Sequence, residues 1–136
     1  MNKIILSIII VGLFISSAIA EGTNWVLVAL AQDVGEQIYI DTSNVSCESD
    51  NIYRVWIKKV DIRKPEGGHL LSYVKYDCKE SKYGYLQQYT YDKDGNIKSS
   101  DSFIDNFKWE YAPPETKGMI TLNYVCSNKD KWGEKE

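Results

Sequence analysis

The side chains best suited to chemistry in this sequence are one histidine, three cysteines and a short run of carboxylates. His69 follows Gly67 and Gly68, and no serine or cysteine nucleophile motif lies near it. A general base needs a nucleophile or a partner carboxylate arranged around it. We therefore interpret His69 as a solvated loop residue, and the sequence predicts no catalytic site.

The segment Asp92-Lys-Asp94-Gly-Asn96 resembles the start of a calcium-binding loop. Such a loop runs for about twelve residues and closes with a glutamate, but Phe103 stands at the closing position. A hairpin turn explains the segment better, because Gly95 supplies the positive φ that such turns need. No Cys/His pair has ligand spacing, so we expect neither a metal nor another cofactor.

Three cysteines, Cys47, Cys78 and Cys126, allow three single pairings, and spacing alone does not choose among them. Cys78 and Cys126 each end an apolar segment, whereas Cys47 lies in a polar loop over residues 43–50. The ends of apolar segments are better placed to meet inside a domain. We therefore favour a Cys78–Cys126 disulfide, which leaves Cys47 as a free or intermolecular thiol.

The oxidising environment that a disulfide needs is predicted by the N-terminus. Lys3 precedes an apolar run over residues 4–15, and Ala18-Ile-Ala20 is a pattern that signal peptidase accepts. A spanning helix needs about 20 apolar residues, more than this run supplies. We expect a signal peptide over residues 1–20, no integral membrane segment after its cleavage, and export to the periplasm, the cell surface or the medium.

Charge and length limit the class of protein. Cleavage would remove Lys3 from a chain of net charge −3 and leave −4. Nucleic-acid binders usually carry a concentrated basic face, so we expect no nucleic-acid partner. About 116 residues would remain, which suffices for one domain with a single core.

Alternating and apolar patterns predict six strands joined by short turns. Their ranges are 25–31, 37–41, 52–60, 70–78, 82–92 and 96–102. Consecutive strands with short connections form an antiparallel meander. One face of such a sheet must be covered, and the C-terminal segment is the remaining apolar piece.

The C-terminal segment allows two secondary structures. Thr116 can cap a helix from Lys117 to about Ser127. Residues 120–126 also alternate between apolar and polar side chains, and this pattern alone slightly favours a seventh strand. The charged residues 128–136 are expected to form a flexible tail.

Four tyrosines, Tyr83, Tyr85, Tyr89 and Tyr91, alternate along the fifth predicted strand and are expected to share one face. One interpretation is an exposed aromatic platform for a protein or sugar partner. The other is an inner face that packs on the C-terminal segment. We favour burial, because the opposite face of this strand is more soluble.

A basic cluster flanks the loop after the third predicted strand. It consists of Lys58, Lys59, Arg63 and Lys64. The cluster suits an acidic partner, although ordinary solvated charge explains it more simply.

Short motifs appear in a characteristic order along the chain. They are Trp25 on the first strand, Tyr39-Ile-Asp41, Val55-Trp-Ile-Lys58, Tyr76-Asp-Cys78, Tyr91-Asp92 with Gly95, Trp109 before Pro113-Pro114, and Tyr124-Val-Cys126. Their order and spacing resemble the bacterial surface-adhesin protein E family over nearly the whole mature chain.

This resemblance implies an α+β fold, in which a six-stranded antiparallel meander carries a C-terminal helix on its concave face. The Cys78–Cys126 disulfide would tether that helix, so the resemblance favours helix over strand. The adhesin E-like domain would span residues 21–127. The implied function is that of a non-catalytic exported protein that contacts host extracellular-matrix or plasma proteins.

Two features depart from the family pattern. The chain lacks a cysteine for lipidation, and Cys47 is additional to the expected pair. The alternative function is a periplasmic protein that inhibits or escorts another exported protein, for which an exposed edge strand would serve.

Overall fold

A computed structural model of the chain describes residues 22–31, 35–64 and 67–132. These residues form eight strands and one α-helix: β1 Trp25–Ala31, β2 Glu36–Asp41, β3 Ser46–Ser49, β4 Ile52–Asp61, β5 His69–Asp77, β6 Lys82–Tyr91, β7 Ile97–Ser102, β8 Glu110–Tyr111 and α1 Lys117–Ser127. The predicted signal peptide lies outside the described residues.

The strands form one antiparallel sheet in the order β1-β2-β4-β5-β6-β7. The predicted six-stranded meander is therefore confirmed. Two short strands are additions to it, since β3 pairs with β4 and β8 pairs with β6. The prediction of a plain polar loop around Cys47 is wrong, because part of β4 extends beyond β2 and offers β3 an edge to pair with.

Alternation along β4 separates the two faces of the sheet. Val55 and Ile57 are almost fully buried, whereas Trp56 and Lys58 point the other way and are partly exposed. We call the side of Val55 the inner face and the side of Trp56 the outer face. Cross-strand pairing extends this assignment to neighbouring strands, because directly paired residues share a face.

The α1 helix packs on the inner face, where its Leu122 and Val125 join the core formed by the sheet. The Thr116 hydroxyl caps the helix by accepting a hydrogen bond from the Met119 backbone N–H at 3.2 Å. The alternative of a seventh strand is thereby excluded. A further strand would only have widened the sheet, whereas a helix covers its apolar inner face.

A disulfide joins Cys78, at the end of β5, to Cys126 in the last turn of α1, with a Cα–Cα distance of 5.5 Å. The predicted pairing is confirmed. Cys47 is a free, partly buried thiol.

The expectation of a flexible tail over residues 128–136 is wrong for its first five residues. Trp132 is buried, and its indole N–H donates to the Val125 carbonyl at 2.8 Å. Buried tryptophan needs a partner for its N–H, and the free carbonyls at the helix end supply one. Composition identified the charges of this segment but gave no signal for its anchor. Residues 133–136 lie outside the described residues.

Candidate functional site

A β-bulge in β6 determines which aromatic side chains reach each face. In β5, Tyr73 lies opposite Gln87 and the next residue, Val74, lies opposite Tyr85. Leu86 therefore faces no partner and is the extra residue of the bulge. As a result, the alternation between inner-face and outer-face side chains is shifted by one residue between the two sides of Leu86.

The bulge divides the four tyrosines of β6 between the faces. Tyr83 and Tyr85 pair with inner-face residues of β5, whereas Tyr89 pairs with outer-face Leu71, and Tyr91 shares its face. The prediction that all four share one face is therefore wrong. Simple alternation along one strand cannot detect a residue that lacks a cross-strand partner.

Tyr83 and Tyr85 are part of the packing beneath the helix. Their rings meet edge to face at a centroid distance of 5.9 Å, and Tyr83 lies 6.3 Å from the ring of buried Tyr76. Burial raises the pKa of both Tyr83 and Tyr85. Both side chains are partly buried and pack against the core on the face that the helix covers.

The outer face carries a row of three aromatic side chains from adjacent strands, Trp56, Tyr73 and Tyr89, which we call the outer row. Trp56 stacks on Tyr73 at a centroid distance of 4.7 Å and an interplanar angle of 19°, and Tyr89 lies 6.1 Å from Trp56. All three side chains are partly exposed. Within the described ranges the helix packs on the inner face, so it does not cover this row.

Lys58 extends the outer row towards the first two strands. Its ammonium lies 4.6 Å from the ring centroid of Trp25 and 5.2 Å from that of Tyr39. Partial burial lowers the pKa of Lys58. Cation–π contacts of this kind hold the ammonium beside the aromatic surface without neutralising its charge.

Lys58 and Lys59 do not form the single basic cluster that the sequence predicts. They are consecutive on β4 and therefore point to opposite faces. Lys59 lies on the inner face, opposite Ile38 of β2 and 6.0 Å from the ring centroid of Tyr85. The two lysines therefore belong to different surfaces.

The segment that follows β7 covers one corner of the outer face. Phe107 lies over Gly84, where a Cβ would also come within 2.6 Å of the Lys108 carbonyl oxygen. Phe107 and Trp109 meet edge to face at 4.9 Å, and the Lys75 ammonium lies 5.1 Å from the Phe107 ring. The packing of Phe107 and Trp109 covers this corner of the outer face. The outer row lies beside the covered corner.

The charged side chains beside that corner form ion pairs with one another. Glu48 forms salt bridges with Arg54 at 3.0 Å and with Lys75 at 2.9 Å. The hydrogen bond from Arg54 is the main cause of the lowered pKa of Glu48. Lys58, in contrast, forms no salt bridge with any described residue.

His69 is the first residue of β5 and not a solvated loop residue, so that interpretation is wrong. It is partly buried, and its ring stacks on Tyr91 at 4.6 Å. Burial and the nearby charge of Lys58 lower its pKa. Cross-strand stacking became possible because Gly68, just before His69, lets the chain approach the Tyr91 carbonyl closely.

The Asp92 carboxylate stabilises the predicted hairpin turn by accepting hydrogen bonds from the backbone N–H groups of Asp94 and Asn96, each at 2.9 Å. Gly95 has a φ of +83°, which confirms its predicted role. Among the described residues, no group of three or more His, Cys, Asp or Glu side chains is placed to hold a metal ion.

The described residues thus form a single antiparallel sheet with a tethered helix on one face and an aromatic row on the other. The sequence model of the family described as Surface-adhesin protein E matches residues 25–127. The chain belongs to this family, and an adhesin family indicates a binding protein rather than an enzyme. No curated protein and no solved structure matches the chain significantly.

The described part of the chain contains no helix with the length and apolar character needed to cross a membrane.

Sequence reasoning missed two members of the outer row, Trp56 and Tyr73, as candidate binding residues. The available signal was the alternation of β4, which sets Trp56 opposite to the buried Val55 and Ile57. An aromatic residue on the solvated face of a central strand is the feature to seek.

Proposed function

We propose that this chain is an exported, non-catalytic adhesin that binds a host extracellular-matrix or plasma protein through its outer face. The observation that carries the proposal is the partly exposed outer row of Trp56, Tyr73 and Tyr89. Membership of the surface-adhesin family supports the binding role.

The outer row has the properties of a protein-binding hot spot. Trp and Tyr are enriched among the residues that dominate interface energies. These three side chains stand on β4, β5 and β6, which are paired on both sides, and they already contact one another. Little conformational entropy is therefore lost when a partner covers them.

Lys58 adds a charge to this surface. Its ammonium contacts two aromatic rings and forms no salt bridge with a described residue. Its position beside the outer row favours a partner that presents a carboxylate near an apolar patch.

The test is the binding of the purified mature protein to immobilised matrix and plasma proteins, with laminin and vitronectin in the panel. For a partner that binds, Trp56→Ala is expected to weaken the affinity by about 30-fold, which is the effect of a typical hot-spot residue. Ile120→Ala is the control, because Ile120 is an exposed apolar residue of α1.

Two results would contradict the proposal: no binding across the panel, or equal losses from Trp56→Ala and Ile120→Ala. Circular dichroism of each variant verifies that the fold is retained. Protease treatment of whole cells tests the location, because it removes a surface protein and spares a periplasmic one.

A second function, the inhibition or escort of another exported protein by strand addition, is favoured by the edge strand β1. Among the described strands, β1 pairs with β2 alone. It carries no charged residue, and its Leu27 and Leu30 are each 46% exposed. Edge strands are usually protected by charges or proline. Partner binding that is lost in Leu30→Lys and retained in Trp56→Ala would favour this function over the first.

A further inference from the structure

A cavity of about 430 Å³ lies on the inner face of the sheet, beneath the N-terminal end of α1. Its floor consists of the almost fully buried residues Ile38, Ile57 and Val74, from β2, β4 and β5. Residues 116–118 and Thr121 of the helix cap and first turns line it from above, and we call it the helix cavity. Its volume is within the range of roughly 300–1,000 Å³ that is usual for ligand sites.

Two contacts fix the first turn of α1 above this floor. Lys117 forms a salt bridge with Glu36 of β2. Gly118 lies against the ring of Tyr83 on β6, where an added Cβ would come within 3.1 Å of the ring. Since β4 and β5 lie between β2 and β6 in the sheet, the start of the helix spans the cavity and is anchored on both sides of it.

Lys59 is a cation of the helix cavity that has no counter-ion. Its ammonium lies 6.0 Å from the ring centroid of Tyr85, and it forms no salt bridge with any described residue. Removal from water disfavours the charged ammonium, and burial lowers the pKa of Lys59. An anion in the cavity would supply the missing counter-charge.

The carboxylates around the helix cavity do not neutralise Lys59. Glu36 is already bound by Lys117. Glu115, which lines the cavity, and Glu110 on β8 are both exposed, and neither forms a salt bridge with a described residue. The uncompensated charge on the inner side of the cavity is therefore positive.

We propose that the helix cavity binds a small carboxylic acid, with its carboxylate on the Lys59 ammonium and its apolar body over the aliphatic floor. One ammonium balances one negative charge, and the burial of an apolar body on Ile38, Ile57 and Val74 adds affinity that the ion pair alone does not give. This site lies on the opposite face of the sheet from the outer row and goes beyond the proposed function.

The walls of the helix cavity disfavour other anions. The rings of Tyr83 and Tyr85 and the aliphatic floor offer a ligand mainly apolar contacts. A ligand with two or more charges would have to bury an unpaired charge beside them, which is costly. A small inorganic anion would contact Lys59 and gain nothing from the apolar floor.

The test is isothermal titration of the purified mature protein with octanoate and, separately, with hydrocinnamate. The two acids carry the same carboxylate on an aliphatic and on an aromatic body, so the binding of either supports the proposal and identifies the body that the cavity accepts. The corresponding alcohols lack the charge and acetate lacks the apolar body. Each is expected to bind about tenfold more weakly than the acid, or less tightly still.

Lys59→Met is expected to weaken the binding of the acid about tenfold, because it removes a charge-assisted contact at a partly buried position. It should leave the binding of the alcohol unchanged, whereas a collapse of the cavity would weaken the acid and the alcohol equally. Lys79→Met is the matched control, since it changes the net charge by the same amount and Lys79 is exposed in the turn between β5 and β6.

Nuclear magnetic resonance locates the bound acid. The backbone amide shifts that it causes are expected to centre on Lys59, Tyr85 and Gly118. Trp56→Ala, which tests the proposed function on the outer face, should leave the binding of the acid unchanged, and Lys59→Met should leave the binding of a protein partner unchanged. A failure of one proposal is thus distinguishable from a failure of the other.

Three results would overturn the assignment of a carboxylic acid to the helix cavity. They are the absence of binding by both acids, equal affinities of Lys59→Met and Lys79→Met for the acid, and amide shifts centred on the exposed Leu27 and Leu30 of β1. Circular dichroism spectra of the variants must match the wild type, because a loss of fold would imitate a loss of binding.

Discussion

Removal of the Cys78–Cys126 disulfide is expected to lower the free energy of unfolding by about 4 kcal/mol. The two cysteines are 48 residues apart in sequence, and the cross-link restricts the unfolded chain over that whole loop. The chain-entropy relation converts a loop of this length to about 4 kcal/mol at 25 °C. Since whole domains are typically stable by about 5–15 kcal/mol, this is a large share.

The perturbation is the double substitution Cys78→Ala/Cys126→Ala. Urea denaturation followed by circular dichroism gives the free energy of unfolding, and thermal denaturation gives Tm. A loss of about 4 kcal/mol corresponds to a decrease in Tm of roughly 15–20 °C for a domain of this size. The folded far-UV spectrum should persist without urea, because Leu122 and Val125 still bury the helix against the sheet.

The matched control is Cys47→Ala, which removes the free thiol and leaves the cross-link intact. Treatment of the wild type with reductant should reproduce the loss seen in the double variant. A loss below about 1 kcal/mol in the double variant, or a similar loss in Cys47→Ala, would refute the reasoning. In the first case the helix would be held by its packing alone.

Three further predictions concern single positions. Gly84→Ala is expected to cost about 1–3 kcal/mol in urea denaturation, because the added methyl group would clash with the Phe107 ring; an unchanged midpoint would contradict this close approach. Trp132→Phe removes the hydrogen bond to the Val125 carbonyl and should cost about 1–3 kcal/mol, whereas a frayed segment would show no loss. The lowered pKa of His69 means that the unfolded state binds the proton more tightly, so stability should fall as the pH drops below about 6.5. His69→Phe keeps a ring for stacking and should make the urea midpoint less dependent on pH below about 6.5. An unchanged pH profile would show that His69 is not the cause of the dependence.

Most of the fold follows from local patterns. The alternation of β4 predicts its two faces, and Gly95 predicts the hairpin turn before β7. The Cys78–Cys126 pairing follows from the position of both cysteines at the ends of apolar segments. Thr116 correctly marks the start of the helix, although alternation over residues 120–126 suggests a strand.

The candidate surfaces were harder to predict than the fold. Consecutive positions on β4 place Lys58 and Lys59 on opposite faces, yet their proximity in sequence suggests one cluster. The outer row brings Trp56 beside Tyr73 and Tyr89, which lie 17 and 33 residues further along the chain. No local sequence pattern predicts contacts between residues that lie so far apart along the chain.

The sequence by itself determined the strand order and the position of the helix cap, because these depend on neighbouring residues and on alternation, whereas the type of domain came from the resemblance to a family. The tertiary structure alone decided the division of the β6 tyrosines and the anchoring of Trp132. Leu86 becomes an extra residue only when β6 is aligned with β5, and Trp132 finds its acceptor only where the helix ends. Both depend on contacts between separate elements, which a one-dimensional pattern does not contain.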